Sequence, residues 1–157
     1  PWQRTWVFFG DERGVPPDVA KLICPHFPED GATIVEHWRG AARALFVDEG
    51  RQAGTLIRAA IAALGCEDRA RLIPRDATRL GPALDRPATL VFCDPPYRKN
   101  LAPAALTAAA GGGWLSPGAL VLVEEAAEAG AVLPPGFEEL ERRSYGETTV
   151  TFGRFAG

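Results

Sequence analysis

The sequence predicts an α/β fold: a mostly parallel sheet, a C-terminal antiparallel hairpin and an atypical N-terminal part. Two observations carry this. From residue 43 onward, short apolar runs alternate with a stretch of helical period, and each run stops at acidic residues, Gly or Pro. Near the end, two strand-like stretches flank a Gly-containing turn.

Residues 5–9 (TWVFF) read as a strand ended by Gly10-Asp11-Glu12-Arg13-Gly14. Residues 19–23 read as a short helix, and Pro25 and Pro28 interrupt the stretch after it. Residues 44–47 form a buried strand ending at Asp48-Glu49. Across 50–64, Ala53, Leu56, Ile57, Ala60, Ile61 and Leu64 recur on one helical face, and Gly65 is placed to end the helix. Residues 71–73 form the next strand, leading into Arg75-Asp76-Ala77. Residues 89–93 form another, stopped by Asp94-Pro95-Pro96. A helix over 101–110, a strand over 119–124 and a hairpin of 137–144 with 148–155 complete the pattern. The length of 157 residues suits one compact domain, with 1–39 as its atypical segment and 40–157 as the regular part.

Composition narrows the function classes. The net charge of −3 provides no global basic field, so any RNA contact must be local. Cys24, Cys66 and Cys93 show no CxxC spacing, and His26 and His37 complete no ligand pattern with them. Neither a disulfide framework nor a metal site is expected, and a reducing cytoplasm is. No apolar run is long enough to span a membrane, and the first residues lack a signal-peptide layout. A monomer is expected.

Asp94-Pro95-Pro96-Tyr97 is the strongest chemical signal. Two prolines fix the backbone and remove two amide donors, leaving neighbouring carbonyls free to accept. Together with the Asp94 carboxylate they offer acceptors for both N–H bonds of an exocyclic amine. Tyr97 can stack on a planar base. Such a site orients a nitrogen lone pair toward an electrophilic methyl group, where positioning supplies much of the rate. The plainer reading is a Pro-rich turn with Asp94 as a cap.

Ligands of open α/β sheets bind beyond the carboxyl ends of the strands. Asp48, Asp76, Asp94 and Glu124 all fall there. Asp48, or its neighbour Glu49, suits a ribose diol; otherwise it caps the helix after it. Asp76 can accept from an adenine amine while Ala77 packs on the ring; otherwise it is a solvated turn. Arg98 and Lys99 can touch RNA phosphate or simply face water. Glu124 and Glu125 suggest acid–base work, but without a partner in sequence they read as a solvated strand end. Trp2 and Trp6 read as core.

Residues 39–155 resemble the RsmD-type 16S rRNA guanine-N2 methyltransferases, through RGAARALFVDE, RAAIAALG, RARLIPRDA, TLVFCDPPYRKNL, GALVLVEE and YGETTVTF. The resemblance implies a Rossmann-like fold that binds S-adenosyl-L-methionine (SAM), and a substrate in 16S rRNA or the assembling small subunit. It implies that Asp48 and Asp76 hold the ribose and adenine of SAM, and that residues 94–97 hold a flipped guanine. The family's glycine-rich loop of the type DLFAGSGALG has no match in residues 24–36 (CPHFPEDGATIVE), and no stretch of residues 1–39 matches its basic N-terminal segment. Residues 6–18 (WVFFGDERGVPPD) are instead similar to the GDER segment of 6-phosphogluconolactonases, and residues 29–33 faintly to their EDGHT motif. Two other functions therefore stand beside methyl transfer. One is a methyltransferase relic with impaired SAM binding. The other is a sugar-phosphate lactone hydrolase using Asp11, Glu12 and Arg13.

Overall fold

The computed structural model describes residues 6–14, 39–96, 98–129 and 131–157, with side chains from residue 43 onward. The helix expected at 19–23, the two histidines, Cys24, Trp2, residues 24–36 and Tyr97 lie outside the described residues.

Among the described residues one sheet of seven strands organises the fold: β1 (Trp6–Gly14), β2 (Arg39–Val47), β3 (Ala70–Ile73), β4 (Ala88–Cys93), β5 (Leu115–Ala126), β6 (Phe137–Tyr145) and β7 (Thr148–Phe155). Helix α1 (Arg51–Ala63) joins β2 to β3, and α2 (Leu101–Gly111) joins β4 to β5. The strand order is β3-β2-β1-β4-β5-β7-β6. β2 pairs parallel with β3, and β4 with β5, as strands joined through helices must. β5–β7 and β6–β7 are antiparallel, the latter being the expected hairpin.

The centre of the sheet is atypical. β1 lies between β2 and β4 and runs antiparallel to both. It fills the inner hydrogen-bonding edges of two strands that would otherwise leave N–H and C=O groups unpaired. Three strand boundaries correct the sequence reading. β1 does not stop at Gly10 but continues through Gly14, because Gly10 to Gly14 ladder onto Arg43 to Arg39. The same ladder starts β2 at Arg39 rather than residue 44. β5 starts at Leu115, paired with Ala88, and passes Pro117 and Gly118 by a register shift. Partner strands here override weak local propensity.

Side chains alternate across the sheet and feed two cores. On one side Leu45, Val47, Val91, Cys93, Val121 and Val123 pack with α2, Leu80 and Trp114. On the other, Ala44, Phe46, Phe92 and Leu122 pack with Ile57 and Ile61 of α1. The buried edge of α1 is Gly54, Ile57 and Ile61. Leu56 and Leu64, expected on that face, are exposed at 41% and 36%. The buried stripe is narrower than the periodicity suggests. Gly54 brings the helix close to β3: a Cβ there would lie 3.1 Å from Leu72 Cδ2.

Candidate active site

One transverse row fixes the site's position. Ile73, Val47, Trp6, Cys93, Val123 and Thr151 are successive register partners across six strands. Asp48, Asp94 and Glu124 each come one residue after a member of this row, so all three stand on the same side of it. Asp48 and Asp94 flank the β1 strand, at a backbone separation of about 10 Å, two strand spacings. The gap between them is the point where the strand order turns from 3-2-1 to 4-5, the position at which such sheets bind ligands.

Asp48 is buried, at 3% exposure. It does not cap α1, whose N-cap is Gly50 with no side-chain bond. Its Oδ1 instead accepts the Gly50 N–H at 2.6 Å. A Cβ on Gly50 would lie 2.9 Å from that oxygen, so glycine is what lets the backbone come this close. Glu49 is exposed.

Asp76 begins a single 3-10 turn, Ala77–Arg79, and its Oδ1 accepts from the Thr78 hydroxyl at 2.7 Å and the Thr78 N–H at 2.8 Å. Those bonds, the hydroxyl first, hold its carboxyl below the usual carboxylate range. Asp76 is thus a turn cap with its second oxygen at 3.9 Å from Arg79 Nε. Ala77 is buried in the α2-side core.

Asp94 differs from both. Its Oδ1 is buried and has no hydrogen-bond partner. Burial first, then the charges of Glu124 and Glu125, push its carboxyl up to about 7. Pro95 is fully buried and Pro96 half-buried. A carboxylate stripped of water and left unpaired is costly unless a ligand completes it. Cys93, buried just before it, has its thiol pushed up, chiefly by burial.

Glu125 is expected from sequence at a solvated strand end, and the structure corrects this. It is buried, at 3% exposure. Its Oε1 accepts the backbone N–H of Arg98 at 2.8 Å and of Ala126 at 2.9 Å. No local signal marks it, because its partner lies 27 residues away. Arg98 and Lys99 are exposed, and the Arg98 guanidinium pairs with Glu128. Asp11, Glu12 and Arg13 lie in the far half of β1: Glu12 and Arg13 pair with Ala41 and Gly40, at the end of the sheet opposite Asp48 and Asp94.

The donor set suits SAM. The buried Asp48 carboxylate at the end of β2 can accept from its ribose hydroxyls, and Asp94 at the end of β4 retains an unused buried acceptor beside that position. Among the described residues, no His, Cys, Asp and Glu cluster is arranged to hold a metal ion, and no helix is long and apolar enough to cross a membrane.

Comparisons bear on the fold. A Haemophilus influenzae protein provisionally named a methylase superposes with a TM-score of 0.68 at 21% identity, over 80% of this chain and 73% of the other. An Escherichia coli protein provisionally named the methyltransferase yhhF gives 0.66 at 22% identity, over 82% and 72%. A Clostridium thermocellum protein provisionally named an rRNA methylase gives 0.59 at 16% identity, over 96% and 90%. No curated protein matches the sequence. The family model described as Conserved hypothetical protein 95 matches residues 31–154. The chain therefore belongs to this RsmD-like family and has the Rossmann-like methyltransferase fold.

Proposed function

We propose that the chain is a SAM-dependent N-methyltransferase acting on the N2 amino group of a guanine in 16S rRNA within the assembling small subunit. One observation carries this reading: a buried, unpartnered carboxylate oxygen on Asp94, beside two prolines, at the carboxyl end of β4. The rRNA-methylase name of the Clostridium thermocellum structure supports the RNA substrate.

SAM, when bound, supplies an electrophilic methyl group. Asp48 and Asp76 hold its ribose and adenine, with Glu49 and Ala77 beside them. Asp94 and a carbonyl of the Pro95-Pro96 segment accept the two N–H bonds of the guanine amine and aim its lone pair. Tyr97 stacks on the base, and Arg98 and Lys99 meet RNA phosphate. As nitrogen gains carbon it must lose one proton, and Asp94 stands ready to take it. Positioning, rather than strong acid–base chemistry, supplies most of the rate.

Labelled methyl transfer to undermethylated small subunits tests the reading. Asp94→Ala is expected to abolish transfer while leaving affinity for S-adenosylhomocysteine (SAH) within about twofold, since that side chain serves the amine. Absence of SAH binding at millimolar concentration by calorimetry would sink it. One observation favours a second reading, a relic that no longer binds SAM. β1 runs so that its last residue, Gly14, pairs with Arg39, away from the crevice. β1 thus finishes at the end of the sheet opposite Asp48 and Asp94, not at the crevice itself. The same calorimetry separates the two readings.

A further inference from the structure

We propose that Glu125 is the positioning residue that sets the shape of the amine-binding turn, an inference that rests on the reading of residues 94–97 given above. The turn needs such a holder. Pro95 and Pro96 lack N–H groups, which leaves few backbone donors by which to anchor it. Arg98 and Asn100 both take left-handed conformations, with φ of 65° and 49°. Residues with a Cβ rarely do so unless their surroundings hold them. Helix α2, which begins directly after Asn100, has no side-chain bond at its N-cap.

The Arg98 N–H goes to Glu125, whose single oxygen also takes the Ala126 N–H. One buried atom thereby joins the turn after β4 to the end of β5. A buried carboxylate is expensive unless hydrogen-bonded, and here these two donors supply the bonds. The brace continues outward. Glu125 faces Thr149 in the register, Ala126 faces Thr148, and the Ala127 N–H donates to the Glu147 carbonyl at 2.9 Å. The tip of the β6–β7 hairpin thus supports the end of β5, which supports the turn. Glu128 also pairs with the Arg98 side chain, but both groups are largely exposed. Water and salt screen such a pair, so it holds little.

Amide exchange tests the anchor without relying on activity. In Glu125→Ala, exchange over residues 98–100 is expected to speed up about tenfold or more, while α1 and β2 keep their protection, as for a local opening. Glu125→Gln keeps an oxygen that can accept the same N–H and should retain most protection. Glu128→Ala should change nothing. In methylation assays, Glu125→Ala should lower kcat by about 10- to 100-fold, as expected for lost positioning, with KM for RNA and affinity for SAH nearly unchanged. Glu125→Gln should recover most of that rate. Unchanged exchange at 98–100 in Glu125→Ala would overturn the proposal. So would a uniform loss of protection across the core, or a Glu125→Gln variant as damaged as the alanine. If Glu125→Ala does not fold, Glu125→Asp, which withdraws the oxygen by one methylene, takes its place. Should the wild type transfer no methyl group, the functional reading falls while the exchange data still decide the anchor.

Discussion

Asp94 carries a charge that its surroundings resist, and this has two pH effects. Its folded pKa of about 7 exceeds the ordinary 3.8. Between those values the folded state holds a proton that the unfolded state has lost. Stability therefore falls as pH rises from about 4 to about 7, and is flat above. The full span, at about 1.4 kcal/mol per unit, is on the order of 4 kcal/mol. Asp94→Asn removes the charge, so it should exceed wild type by about 1–3 kcal/mol at pH 8 in urea denaturation, and match it near pH 4. In the role proposed for Asp94 the amine needs the ionised acceptor, so wild-type kcat/KM should rise tenfold per unit below about pH 7 and level above it. A stability gain combined with lost transfer is what a functional strain at Asp94 requires. At Asp48, replacement by Ala should weaken SAH binding by about 10- to 100-fold, the worth of a hydrogen bond to a charged group. Gly50→Ala should weaken it less, by pressing on the same carboxylate. Asp94 is legible in sequence because two prolines after a β run are chemically unusual. Glu125 is not, because a glutamate at a strand end looks the same whether water or a distant backbone N–H binds it.

At the scale of elements, local signals suffice where the chain solves its own geometry. Gly65 has φ of 58°, its N–H donates to the Ala62 carbonyl, and the Cys66 N–H donates to the Ile61 carbonyl. That is the left-handed helix ending its position predicts. Gly112 is not legible in the same way, since its constraint comes from another loop. A Cβ there would lie 2.3 Å from the Gly81 carbonyl oxygen, and Trp114 Nε1 donates to that same oxygen at 2.7 Å. Gly112→Ala should therefore destabilise the protein by about 2 kcal/mol or more, through forced separation of α2 from that loop. Gly111→Ala, with open space around its Cβ, is the control and should be neutral or better. The buried face of α1 departs from expectation for a related reason. Periodicity locates a stripe, but which edge is buried depends on the sheet beneath it.

At the scale of the molecule, alternating strands and helices predict the sheet from β2 onward, and the hairpin is legible from its turn. The direction of β1 is not, because a strand's own sequence carries no sign of whether its neighbours run with it or against it. We propose that residues 1–39 and 40–157 form one folding unit. A chain starting at residue 39 should lose cooperative urea unfolding, since β2 and β4 would each expose an unpaired edge. A transition as steep as that of the full chain would refute this.

The reversed central strand also bears on how the protein should be handled. Trp6 lies level with Val47 and Cys93, so β1 enters the sheet at the end where Asp48 and Asp94 stand. At the other terminus, Arg154 lies level with Leu120, below the crevice row. An affinity tag fused directly ahead of Trp6 would be tethered at the crevice end of the sheet. The same tag after Gly157 would hang clear of it, and ligand-binding measurements belong on the C-terminally tagged protein.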